Sequence, residues 1–119
     1  MVMLTILTNA LFHPAKFEIL KLLKEEKAID KKSSLSYMEI ANKIGEDPHA
    51  ITFHLVDLEK YGLVKGVFKF VENVTENETV RISKAYYINE EKLKETINEA
   101  LKMLKQLSDD IKQLGDDEK

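Results

Sequence analysis

Three residues, Gly45-Glu46-Asp47, separate two short segments that each carry one apolar stripe, and that spacing restricts the fold more than any other feature of the chain. Upstream, Ser36-Tyr37-Met38-Glu39 forms a capping box: the serine oxygen accepts the Glu39 amide, and the Glu39 carboxylate reaches back to the serine amide. Tyr37, Ile40, Ala41 and Ile44 then fall at i, i+3, i+4 and i+7, a single helical stripe closed by Gly45. Downstream, Asp47 is placed to cap a second helix and Pro48 to open it. Ile51, Leu55 and Leu58 form its buried stripe, and Tyr61-Gly62 its end. Helix, three-residue turn, helix is the helix-turn-helix arrangement, here over about residues 36–62.

The flanking segments complete one domain. Residues 4–11 read as a short apolar helix closed at His13-Pro14. Residues 15–26 read as a second helix with Phe17, Ile19, Leu20, Leu22 and Leu23 on a broad inner face, followed by a polar connection over 28–34. After Gly62 the residue types change to those of strands, and residues 63–74 and 80–88 predict a β-hairpin whose loop, near 75–79, forms a wing. Both strands are apolar on both faces, so alternation assigns no inner face. Asn89 caps a helix over 90–114 that Gly115 ends, leaving an acidic tail over 115–119. The expected architecture is α+β: a winged helix-turn-helix domain over residues 1–89, with the hairpin at about 63–88 and a C-terminal helix forming a dimeric coiled coil.

Leu93, Ile97, Ala100, Leu104, Leu107, Ile111 and Leu114 follow one another at intervals of 4, 3, 4, 3, 4 and 3, a heptad seam. A helix of about 25 residues spans roughly 38 Å, more than a domain this small can cover. The seam therefore predicts a homodimer, with Leu4 and Leu7 of the first helix adding to the interface.

The 119 residues suit a single domain, and 44% hydrophobic content is enough for one core. The absence of cysteine removes disulfides, thiolate metal sites and thiol catalysis. The opening Met1-Val-Met-Leu-Thr-Ile-Leu-Thr8 has no basic leader and breaks at Asn9, so it reads as the first helix of a cytoplasmic protein with no membrane segment. Net charge is −3, distributed as −1 over residues 1–62, +1 over 63–89 and −3 over 90–119. Most of the acidity thus lies in the C-terminal helix, and the rest is close to neutral.

Three stretches resemble the arsenic-repressor-like (ArsR-type) winged-helix family: Leu11-Phe-His-Pro-Ala-Lys-Phe-Glu-Ile-Leu20, Ile40-Ala-Asn-Lys-Ile-Gly45, and Ile51-Thr-Phe-His-Leu55 followed by Leu58 and Tyr61-Gly-Leu-Val64. They cover about the first 65 residues, in the family's order and spacing, and the long last helix is similar to that of small archaeal winged-helix regulators. The resemblance implies a dimeric transcriptional regulator that binds double-stranded DNA. The chain departs from the pattern twice. The family's metal sensors coordinate through cysteines, so metal sensing is not implied, and Glu72, Glu76 and Glu78 make the wing tip acidic where a phosphate-gripping wing is basic.

With Ile51 taken as the core direction, His49, Phe53, Val56 and Lys60 fall at about 160°, 200°, 140° and 180°, opposite the core, with Thr52 and Asp57 flanking them. His49, Thr52 and Phe53 are the expected base contacts, with Ala50 marking a close approach. Lys43, Lys60, Lys65, Lys69, Arg81 and Lys84 are the expected phosphate contacts. His54 falls on the core side as a buried, hydrogen-bonded histidine. His49 and His54, five residues apart, lack metal-pair spacing, so no metal and no cofactor is expected. No nucleophile has a base and orienting partner, and no glycine-rich phosphate loop occurs, so the chain does not read as an enzyme. The residues name no effector. The competing reading is a winged-helix module that uses Phe53 and Val56 to bind another protein, consistent with the acidic wing.

Overall fold

Local signals set where each helix starts and stops. A computed structural model describes residues 6–70 and 82–117, with the backbone alone for Leu7, Thr8 and residues 115–117. A five-residue π-type turn, α1 (Leu7–Leu11), is followed by α2 (Pro14–Glu25), β1 (Leu35–Ser36), α3 (Tyr37–Ile44), α4 (Pro48–Lys60), β2 (Val64–Phe70), β3 (Ile82–Ile88) and α5 (Glu90–Asp117). Leu4, Arg81 and the acidic tip with Glu72, Glu76 and Glu78 lie outside the described residues, as does the side chain of Leu7.

Pro14 occupies the first turn of α2, where its missing N–H costs nothing, and His13 Nδ1 accepts the Lys16 amide at 3.5 Å. The helix ends in a Schellman motif: Ala28 N–H donates to Leu23 O at 2.8 Å and Lys27 N–H to Lys24 O at 3.1 Å, with Lys27 at φ 55°. The capping box of α3 is formed, with Glu39 N–H on Ser36 Oγ at 3.2 Å and Ser36 N–H on Glu39 Oε1 at 3.4 Å. Gly45, at φ 82°, ends α3, and α4 begins three residues later. Asp47 makes no side-chain capping bond; its carboxylate stays in solvent and Pro48 alone sets the entry. At the other end Gly62, at φ 79°, completes a second Schellman motif in which Leu63 N–H reaches Leu58 O at 3.0 Å.

The fold is α+β, with one antiparallel sheet of order β1-β3-β2 and a long C-terminal helix. Residues 28–34 are the expected connection, but it ends in the two-residue strand β1, where Leu35 pairs with Tyr86 and Ser36 with Ala85. β2 and β3 run in register from Val64↔Ile88 to Phe70↔Ile82. Period-two alternation therefore puts Val64, Gly66, Phe68 and Phe70 on one face with Ile82, Lys84, Tyr86 and Ile88. At its base this face enters the core through Val64, Tyr86 and Ile88, whereas Phe68, Phe70 and Ile82 farther out are exposed.

The core centres on Ile51, Leu55 and Leu58 of α4, packed with Ile19 and Leu23 of α2, Ile40 of α3, and Leu63 and Val64. Phe17, expected inside, is 53% exposed, while Lys16 is only 5% exposed. The cause is helical phase: residues 16, 19, 20 and 23 form the i, i+3, i+4, i+7 stripe that faces inward, and Phe17 lies about 100° off it.

Asn89 joins the two halves: its amide donates to Gly62 O at 3.0 Å, its Oδ1 accepts the Lys92 amide at 3.3 Å, and its backbone N–H reaches Leu63 O at 3.0 Å. α5 runs on through Gly115 to Asp117 rather than ending at residue 114. A glycine costs a helix only about 1 kcal/mol, and no proline follows to force an exit. The radius of gyration is 18.5 Å, against about 13.5 Å for a compact chain of this length, because α5 projects from the domain. Among the described residues, no helix is long and apolar enough to cross a membrane.

Lys27 holds a left-handed conformation that costs a non-glycine residue of order 1 kcal/mol or more, and it is exposed. Lys27→Gly is expected to raise unfolding free energy by about 0.5–1 kcal/mol, part of the relief being offset by the entropy of glycine in the unfolded chain. Urea titration of the two proteins checks this, and an unchanged or lower midpoint contradicts it.

Candidate functional site

α4 is held from behind and bare in front. Ile51, Leu55 and Leu58 are buried, and on the opposite side His49, Phe53, Val56 and Lys60 are exposed, Phe53 by 74%. Ala50 and Thr52 are half-buried beside that face. The Thr52 hydroxyl donates to Pro48 O at 2.9 Å, so its proton is used within the helix and its lone pairs remain available as acceptors.

An ion pair fixes α4 to α2. Lys16 Nζ lies 2.9 Å from Asp57 Oδ2, with the lysine buried and the carboxylate about half exposed. The hydrogen bond from Lys16 holds the Asp57 carboxyl below the usual carboxylate range. One turn back, His54 is half-buried rather than enclosed, and its ring packs on that of His13 with centroids 5.1 Å apart and planes tilted by 54°. Burial, and then the fields of His13 and Lys16, push His54 below the ordinary histidine value. Lys16, His13 and His54 thus gather behind α4, with Asp57 as the anion paired to Lys16. Helical angle puts His54 on the core side, but the pairing of Lys16 with Asp57 is not legible in the sequence, because a lysine between two apolar positions reads as surface.

The expected phosphate contacts divide by their partners. Lys84 Nζ is 2.9 Å from Glu59 Oε1 and 5.4 Å from the Tyr86 ring centroid, and the bond to Glu59 holds the ammonium above its ordinary value. Gly66 makes room for that pair, since a Cβ there would overlap the Glu59 carboxylate and the Lys84 side chain. Lys69 donates to Ser34 O at 2.9 Å and Lys32 O at 3.4 Å, tying β2 to the loop before β1. Lys43 pairs with Glu26 at 3.3 Å, but both are well exposed, and such a pair is worth at most about 1 kcal/mol, little enough to exchange for another anion. Lys60 and Lys65 are exposed and in no ion pair among the described residues.

On α5 the seam is shared unequally. Leu93 packs against the core and Ala100 is buried, but Ile97, Leu104, Leu107, Ile111 and Leu114 are exposed, along with every other residue from 101 to 114. Sequence reasoning missed a second apolar surface, Phe68, Phe70 and Ile82, which only the strand register brings together. Among the described residues, no group of three or more histidine and acidic side chains is placed to hold a metal ion. No protein-family model and no curated protein matches the chain.

Two tests address the cluster behind α4. Asp57→Ala leaves Lys16 buried without its anion and is expected to cost about 1–3 kcal/mol of stability. Lys16→Met, which removes the charge but fills the site, should cost less; a larger loss in Lys16→Met would contradict the assignment. For His54, a lowered folded value means that the unfolded chain binds the proton more readily. Its contribution is complete above about pH 6.5 and is lost as pH falls toward the folded value. Chemical denaturation at pH 7.5 and 5.5 should show a drop that His54→Gln reduces, and an equal drop in both proteins would remove His54 as its source.

Proposed function

We propose that the chain is a winged helix-turn-helix regulator of the ArsR-like kind that binds double-stranded DNA as a homodimer, with α4 as the recognition helix and the β2–β3 hairpin as the wing. The observation that carries this reading is the outward face of α4, where His49, Phe53, Val56 and Lys60 stand in solvent on a helix whose back is locked by Ile51, Leu55 and Leu58. A large aromatic left in water gives no stability, but a rigid helix with such a face suits a major groove, where apolar side chains meet thymine methyls and hydroxyls accept from or donate to base edges. His49, Thr52 and Phe53 read bases, Ala50 permits close approach, and Lys60, Lys65 and Lys43 meet phosphates, with Arg81 at the wing. Dimerisation through the exposed seam of α5 sets two recognition helices about one helical turn of DNA, roughly 34 Å, apart. On this reading the protein works in the cytoplasm and its role is binding.

One observation favours a second reading. Lys69 and Lys84 are spent on internal bonds, and Phe53, Val56, Phe68, Phe70 and Ile82 are exposed, which suits an apolar protein partner better than a polyanion.

Binding to duplexes selected from a random pool, and to scrambled controls, separates the two. Phe53→Ala should cost about 1–3 kcal/mol on the selected duplex and little on the scrambled one. Lys65→Ala should weaken both and flatten the slope of log affinity against log salt by about two units in a symmetric dimer. Three phosphate lysines and Arg81 in each protomer predict a slope of about −7. Absence of binding tighter than about 10⁻⁴ M to either duplex at low salt leaves the protein-docking reading.

A further inference from the structure

An apolar groove of about 570 Å³ runs between α2 and the first half of α5, floored by Phe12, Phe17, Leu20, Leu93, Ile97 and Leu101. Phe12 and Phe17 are 61% and 53% exposed, so the domain spends two aromatic side chains on a surface that it does not cover. Lys21 and Lys24 lie along the same groove. The second half of α5 has the opposite character: an exposed apolar stripe, with Asp109 and Asp110 beside it and further aspartates at 116 and 117.

We infer that the occupant of this groove is the second half of α5 from another copy of the chain, the two α5 helices running antiparallel, so that at each end of the pair α2 and the first half of one α5 pack with the second half of the other as three helices. This rests on the proposed homodimer and specifies its geometry. Three observations carry it. First, the seam from Ile97 to Leu114, in which only the small Ala100 is buried, is its own mirror. Reversing α5 about a point between residues 105 and 106 sets Ile97 against Leu114, the small Ala100 against Ile111, and Leu104 against Leu107. Each pair joins an a position to a d position, as antiparallel helices require, and only Leu93, which already packs on its own core, is left over. Second, Leu101 and Met103 flank the seam and are exposed as well, which makes the stripe wider than two helices need and suits a helix with two neighbours. Third, charge favours this direction. The reversed helix lays its acidic end along Lys21 and Lys24, whereas a parallel pair sets the Asp109-Asp110 steps of both copies at the same level.

The chain has no cysteine, so introduced ones report contacts without background. Ile97→Cys and Leu114→Cys proteins, each altered at an exposed position, are purified separately, mixed, allowed to exchange and oxidised. The expected result is a disulfide between the two kinds of chain and none within either alone, because identical sites lie roughly 25 Å apart along an antiparallel pair. Phe17→Asp, which leaves the domain core untouched, should weaken dimerisation by tenfold or more in sedimentation with an unchanged circular dichroism spectrum. Self-bridging of each variant alone overturns the inference in favour of a parallel pair. A dimer that shows no bridge, or that tolerates Phe17→Asp, overturns it while the homodimer stands. An unaltered protein that sediments as a monomer at tens of micromolar overturns both.

Discussion

The domain is organised by the burial of one side of α4. Ile51, Leu55 and Leu58 are almost completely withdrawn from solvent, and each such side chain contributes about 1.5–3 kcal/mol by leaving water. α2, α3 and the base of the hairpin each supply surface to that stripe. Because a helix has only one inward stripe, fixing these three residues also fixes what points the other way. His49, Phe53, Val56 and Lys60 face solvent because Ile51, Leu55 and Leu58, each two positions and about 200° away from them, do not.

Electrostatics then refine this arrangement. The Lys16–Asp57 pair sits where the α2 stripe meets α4, and its partners differ: the ammonium is buried and the carboxylate half in water. Such a pair adds little net stability over an apolar contact but penalises any rotation of α4 that separates the charges. The Lys84–Glu59 pair does the same between α4 and the hairpin, at the one position in β2 where a glycine leaves room. Basic residues that look available in the sequence are therefore partly structural, which accounts for how little net positive charge the bare face of α4 has beside it.

Much of this could be read from the chain because the signals are local. Ser36 with Glu39, Gly45, Pro48 and Gly62 each act within four residues, and the helix limits they imply are found within a residue or two. Less legible were features set by phase or by distant partners. Whether Phe17 or Lys16 enters the core depends on a rotation of α2 by one residue, which composition cannot distinguish when Asp57 stands 41 positions away. Alternation does not tell the two faces of the hairpin apart because Phe68, Phe70 and Ile82, on the face that enters the core at its base, are apolar yet exposed, while Val67, Ala85 and Tyr87 make the other face apolar as well. β1 is only two residues long and exists because β3 has a free edge for Leu35 and Ser36. For the candidate site, the outward residues of α4 were legible from helical angle alone, and the commitments of Lys69 and Lys84 were not.

The three hydrogen bonds of Asn89 have a mechanical meaning. They fasten the first turn of α5 to the last turn of α4 and to the start of β2, with no glycine or spare loop between strand and helix to take up motion. α5 is thus a rigid lever about 42 Å long, at 1.5 Å per residue for 28 residues, with its fulcrum at the end of α4. A twist applied to its far end has no slack at that joint and arrives as torque on the helix that carries Phe53.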